Sequence, residues 1–138
     1  EPRLDVGAAR HALRHMKEST PRHLLEDTGG SDHTIGLLSR MQVVVSMRLH
    51  ALVFAAGQGI PLVGVVYDQK ISSFLSYIGQ DLYTDLEQLT LPALTAQIDA
   101  ACGRIGDTDF LAGGVTRLRQ IEHRNQETAQ ALLGGLPS

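Results

Sequence analysis

The sequence contains no tryptophan, and aromatic residues make up only 4% of it. Its core therefore has to be built from Leu, Ile, Val and Ala. There is one cysteine, Cys102, so an internal disulfide is excluded, which fits a reducing compartment. Cys102 itself reads as a small apolar residue in a helix rather than a nucleophile. Basic charge is not in excess: 12 Lys and Arg stand against 15 Asp and Glu, a formal net charge of −3. Bulk attraction to nucleic acid or an acidic membrane is thus excluded, and any anion site must be a local arrangement of cations. No run is long and apolar enough to span a membrane, and no signal-peptide pattern opens the chain. The six histidines lack metal-ligand spacing, and there is no HExxH or paired-cysteine motif. His11 and His15 stand at i, i+4 on a predicted helix, and without a third ligand they read as a solvated face. No internal repeat or low-complexity segment occurs.

What is present is enough for a folded domain. The 138 residues, 43% hydrophobic and 20% charged, fit one globular domain able to bury a core without covalent staples. Asp5 to Lys17 reads as an amphipathic helix, with Val6, Ala9, Leu13 and Met16 at helical spacing. "HLLE" (23–26) is a short strand candidate. Ser31 or Asp32 is placed to cap a helix reaching about Arg40. "QVVVS" (42–46) is a β-branched run suited to a strand buried on both faces. Ser46 is positioned to cap the next helix, whose Leu49, Leu52, Val53 and Ala56 form one stripe. "GQG" (57–59) ends that helix, and Leu62 to Val66 forms a second buried strand. Asp68 is a good cap for a helix striped by Ile71, Phe74, Leu75 and Ile78.

Further along, "DLYTD" (81–85) reads as an edge strand, and Pro92 suits the first turn of a helix to about Ala101. "GRIGDTDFLAGG" reads as a loop around short structure. Residues 115–138 hold a terminal helix whose buried side is marked by Leu118, Ile121, Ala129 and Leu132, with "RLRQIEHRNQE" as its exposed side. Strands alternating with helices predict an α/β fold, a Rossmann-like parallel sheet flanked by helices, with residues 1–138 as a single partial domain. Only three or four strands are supplied, and the chain begins at Glu1 without methionine. Both features read as a processed piece or an excised domain whose first strand, or a whole partner domain, lies elsewhere.

In an open parallel sheet, ligands bind beyond the carboxyl ends of the strands. The junctions Ser46–His50 and Tyr67–Lys70 both fall on that edge. Each helix start there offers free backbone N–H groups and a positive dipole end. Arg48, His50 and Lys70 add three potential cations. Arg48 suits bidentate binding of a carboxylate or phosphate, and Lys70 acts as a point charge. Residues at i and i+2 do not share a helix face, so Arg48 and His50 converge only around the helix tip or across an irregular first turn. The alternative is a solvated Arg48 beside a hydrogen-bonded, half-buried His50. "GQGIPL" lacks the third glycine of a dinucleotide fingerprint and runs helix to strand, the wrong order. "TGGSD" (28–32) near His33 has the makings of a phosphate cradle, but a plain turn is the stronger reading.

The segment "VVVSMRLHALVFAAGQGIPLVGVVYDQKISSFLSYIG" (43–79) resembles the signature of the polysaccharide pyruvyl transferase family. The resemblance rests on Ser46, on Arg48-Leu49-His50-Ala51, on Gly59-Ile60-Pro61 and on Tyr67-Asp68-Gln69-Lys70, in that order and spacing. It implies a glycosyltransferase-B-like two-domain enzyme that moves pyruvate from phosphoenolpyruvate onto a sugar of a cell-surface polysaccharide precursor, forming a ketal. This chain would be the C-terminal, donor-binding half, inactive without the N-terminal half that helps hold the acceptor sugar. The resemblance also implies Arg48 and His50 as catalytic residues, with Ser46, Arg48, Tyr67 and Lys70 binding substrate. It implies no metal and no cofactor, since phosphoenolpyruvate is the donor substrate. Location would be cytoplasmic, at or near the inner face of the cell membrane, with the parent free to associate peripherally. Two rivals remain: a nucleotide-sugar enzyme of the glycosyltransferase-B type and a non-catalytic flavodoxin-like binding module. The second lacks an evident phosphate loop after any strand.

Overall fold

The computed structural model describes residues 2–17, 19–24 and 31–134, and it divides the chain into two compact units, Glu1–Gly36 and Leu37–Ser138. The first holds helix α1 (Pro2–Arg14) and the opening of α2 (Ser31–Leu38). Beyond α1, the Arg22 guanidinium donates to the carbonyls of Lys17 and Thr20 and ties down the turn before Pro21. His23 and Leu24, half of the strand candidate 23–26, adopt no regular structure, and Leu25 and Glu26 lie outside the described residues. Residues 28–30 of the candidate phosphate cradle also lie outside them.

The second unit is built on three parallel strands in the order β1-β2-β3: β1 (Val44–Ser46), β2 (Leu62–Val66) and β3 (Tyr83–Asp85). Val44 aligns with Leu62, Ser46 with Gly64, and Gly64 with Tyr83. Helix α3 (Leu49–Gly57) joins β1 to β2, and α4 (Gln69–Tyr77) joins β2 to β3. A single 3-10 turn (Leu86–Gln88), capped by the Asp85 carboxylate on the Glu87 N–H, precedes α5 (Leu91–Gly103) and α6 (Thr108–Gly134). The fold is α/β, a parallel sheet flanked by helices, as the alternating pattern requires.

Every residue of β2 is buried, so this strand is covered on both faces. On one face Leu62 and Val66 join Val44, Leu52, Ile71 and Leu75 in the main core cluster. Gly64 decides how that face is covered. A β-carbon there would lie 3.0 Å from Leu75 Cδ1 of α4, 3.4 Å from Leu52 Cδ1 of α3 and 3.4 Å from Tyr83 Cβ. Both crossover helices thus press on the same face, and the missing side chain lets them. Val63 and Val65 point to the opposite face by strand alternation and are also buried. Helix α5 packs against β2 and β3, where the Gln97 side-chain amide donates to the Tyr83 carbonyl. Gly64→Val is expected to overpack this layer and cost about 1–3 kcal/mol. Urea denaturation measures it, and an unchanged midpoint would refute the close-packing account.

The helix ends follow from local chemistry. At the end of α3, Ile60 N–H donates to Ala55 and Gly59 N–H to Ala56, with Gly59 at φ +68. This is a Schellman turn, in which the residue after the cap must be left-handed and glycine adopts that conformation without a β-carbon penalty. The "GQGIP" segment is therefore a helix stop leading into β2. Thr90 caps α5 through the Ala93 N–H, with Pro92 in the first turn. Cys102 sits in α5 with its side chain exposed.

Helix α6 begins at Thr108, well before the terminal helix expected over 115–138, and the described helix ends at Gly134. Asp107 accepts from the Phe110 N–H and starts the helix there. The glycine pair that reads as loop lies inside it, and buried Gly114 brings α6 to within 2.9 Å of Gln80 Nε2, measured from the position of a β-carbon. Tertiary contact overrides the poor helix propensity of glycine here. Leu118 is buried and Ile121 packs on the core, while Ala129 and Leu132 lie beyond the described side chains.

Arg104, the cap residue ending α5, binds the Asp81 carboxylate at 2.7 Å and lies 4.0 Å above the Phe110 ring centre. The hydrogen bond from Arg104 holds the Asp81 carboxyl below its ordinary range, desolvation opposes it, and the Arg104 charge adds to the lowering. With the folded value depressed, the stabilisation is complete above the unfolded value of about 3.9 and is lost as pH falls through the folded value. The Asp81 side chain is 66% exposed, so solvent screening limits the pair to about 0.2–1 kcal/mol. Arg104→Met is expected to flatten the acid limb of stability below about pH 4. Denaturation midpoints across that range test it, and an acid limb identical to that of the parent would contradict it.

Candidate functional site

Strands β1 and β2 are neighbours and parallel, so α3 and α4 both begin at the same carboxyl edge of the sheet. This is the edge where the sequence places its cations. The two helix starts are built differently.

At α3, the half-buried Ser46 ends β1, and its Oγ accepts from the Arg48 N–H at 3.0 Å. Ser46 was expected to cap the helix, but the cap position belongs to Arg48. That residue has extended dihedrals (φ −94, ψ 124) and makes no side-chain cap hydrogen bond. The serine bonds only two residues ahead, because its hydroxyl shapes the turn that leads the chain out of the strand. The first intrahelical bond runs from the Leu52 N–H to the Arg48 carbonyl. The N–H groups of Leu49, His50 and Ala51 therefore have no acceptor inside the helix, and the positive end of the dipole is not offset by a cap. The Ser46 hydroxyl accepts with its oxygen and keeps its own proton to donate.

At α4 the situation reverses. Asp68 is the cap, as expected, and its carboxylate accepts from the Lys70 N–H at 2.9 Å. A carboxylate in this position offsets the helix dipole and occupies one of the amides an anion would need. Of the two starts, α3 is the better anion acceptor. Tyr67 is 64% exposed, and Asp68, Gln69 and Lys70 are exposed beside it.

Arg48 precedes the helix rather than lying within it, so the facing rule for residues two apart inside a helix does not apply. Its side chain is exposed, and so is that of His50 at the second helical position. His50 lines a cavity of about 560 Å³ along α3 and α6 together with Val53, Phe54, Gln58, Arg119 and Glu122. Among the described residues, its ring has no hydrogen-bond partner. Lys70 lines a shallow hollow on α4 with Gln69, Ser73, Phe74 and Tyr77. Arg48 lines neither of these cavities. The fold thus brings Ser46 and Arg48 into direct contact and puts His50 and Lys70 on the same sheet edge, each against a different groove. Arg119 and Glu122 escaped the sequence reading. They lie in a run that looks like a plain solvated helix face, and nothing local connects it to α3.

Residues 3–69 match the family model described as polysaccharide pyruvyl transferase, just under half of the chain. The family that the motif suggests is the family that matches. The match extends the likeness from the Arg48–His50 motif back to the third residue, through α1 and the segment after it. It includes Ser46, Arg48, His50 and Tyr67 and stops one residue short of Lys70. A pyruvyl transferase family implies a transferase working in polysaccharide biosynthesis, with a polysaccharide acceptor. No curated protein and no solved structure matches the chain. No helix among the described residues is long and apolar enough to cross a membrane.

Proposed function

We propose that this chain is the donor-binding part of an enzyme that transfers pyruvate from phosphoenolpyruvate onto a sugar of a cell-surface polysaccharide precursor. The observation that carries the reading is the uncapped start of α3, flanked by Ser46, Arg48 and His50, inside the segment that matches the family. Phosphoenolpyruvate carries a carboxylate and a phosphate. Free helix amides and an arginine fork are the groups that bind such anions.

In this reading the Leu49–Ala51 amides and the Ser46 hydroxyl hold one anionic group, and the Arg48 guanidinium grips the other. Lys70, from the neighbouring helix start, adds charge where the phosphate departs, and Tyr67 borders the donor. Ketal formation requires a proton on C3 of the donor, which leaves C2 electron-poor. A sugar hydroxyl oxygen then bonds to C2 and gives up its proton. The C2–O bond to phosphate breaks, and a second sugar hydroxyl closes the ring. The balance is one phosphoenolpyruvate and two hydroxyls giving one ketal and one phosphate, with no redox change and no cofactor consumed. In this reading His50 serves as the general acid or base of these proton transfers. The acceptor sugar would be held partly by a companion domain in a glycosyltransferase-B-like arrangement, with the enzyme acting in the cytoplasm.

Thermal shift separates this reading from its rivals. Phosphoenolpyruvate at about 100 times its dissociation constant stabilises the folded state by about 2.7 kcal/mol. A nucleotide diphosphate is expected to give no comparable shift. Protection by the nucleotide alone would replace the pyruvyl donor with a nucleotide sugar, and protection by neither would favour a non-catalytic module.

A further inference from the structure

We infer that His11 and His15 form an exchangeable site for a divalent transition metal, Zn²⁺ being the best fit, on the exposed face of α1. The two rings are one helical turn apart and meet edge to face, with centroids 4.8 Å apart and planes at 74°. Their Nε2 atoms lie 3.4 Å from each other. Spacing of i, i+4 puts both side chains on one face, but it does not by itself make their nitrogens converge. Here they do converge. A tetrahedral Zn²⁺ binds imidazole nitrogen at about 2.0–2.1 Å, which sets two ligand nitrogens about 3.3–3.4 Å apart. Adjacent ligands at a right angle, as in square-planar or octahedral sites, would sit closer, at about 2.9 Å. The observed separation lies within reach of two such ligands.

In the metal-free protein the same approach is an N–H···N contact, in which one ring donates and the other accepts. Metal binding needs both Nε2 lone pairs, so the donating ring passes its proton to Nδ1 and no net charge has to be lost. Among the described residues no group of three or more His, Cys, Asp or Glu side chains gathers around a common point. Two imidazoles on an exposed helix face make a labile site rather than a structural one. Both side chains are exposed, so the ion enters freely and folding of the chain does not depend on it.

The test is calorimetric titration of the whole chain with Zn²⁺ alone, in a non-coordinating buffer at neutral pH. One binding event is expected, weakened at least about ten-fold in His11→Ala and equally in His15→Ala. Alanine favours helix, so circular dichroism should show α1 retained in both variants. His11→Gln and His15→Gln provide a second pair that keeps side-chain bulk if alanine perturbs the fold. Imidazole nitrogen NMR shifts confined to these two rings would confirm the ligands. An isotherm unchanged in the double variant would assign the metal to other histidines or to exposed Cys102 and overturn the site. Absence of binding in the parent chain would overturn it as well.

Discussion

Arg48→Ala is expected to lower pyruvylation by about 10²–10³ in the complete enzyme while leaving the fold in place. The case for an intact fold is local. Arg48 is an exposed cap residue with extended dihedrals that alanine adopts equally well, and its side chain caps nothing. The turn is held by its backbone N–H on Ser46 Oγ, which the substitution keeps. The case for lost activity is electrostatic. On the proposed reading, removing the guanidinium deletes a bidentate donor beside the three helix amides that hold the donor's negative charge. Arg48→Lys keeps the charge without the fork and should recover only part of the rate. Steady-state turnover with phosphoenolpyruvate, alongside a thermal melt, decides the matter. Turnover within a few-fold of the parent in Arg48→Ala would remove this residue from the site.

His50→Gln should be at least as damaging, by about 10²–10⁴, if the imidazole moves a proton in the slow step. Glutamine keeps a polar side chain in the groove against Arg119 and Glu122 but does not titrate. The diagnostic result is loss of one limb of the pH profile of kcat together with the fall in rate. A lowered rate with an unchanged profile would recast His50 as a positioning residue at the α3–α6 groove. That second outcome is a real competitor, because His50 lines a cavity that Arg48 does not. Convergence of the two on one donor would follow from rotation of the His50 ring toward the helix tip on binding.

Much of the site was legible because the relevant signals are short. The β-branched run before Ser46, the Asp68 cap and the glycine stop at Gly59 each act within a few residues, so pattern alone locates both helix starts. The order Ser46, Arg48, His50, Tyr67 along the chain is likewise enough to suggest the family, and the family match covers all four. Errors arose where a local signal was ambiguous or was overruled from a distance. Ser46 has the chemistry of a cap, yet its hydroxyl closes a tighter turn and the cap falls to Arg48. Gly113 and Gly114 weaken a helix in isolation, but Gly114 is what lets α6 lie close to Gln80.

By itself, the sequence determined the alternation of strand and helix, the parallel sheet that follows from it, and the placing of Arg48, His50 and Lys70 at its carboxyl edge. These depend on periodicity, capping and turn chemistry, which are properties of neighbouring residues. Only the tertiary structure decided that α3 and α4 share one face, since that rests on Leu52 and Leu75 both meeting the bare backbone of Gly64. It alone decided that His50 faces a groove with Arg119 and Glu122, far along the chain, and that the start of α3 stays open while Asp68 closes α4. Which groups end up opposite one another is set by packing across the sheet, and packing is a sum over contacts that no local stretch contains.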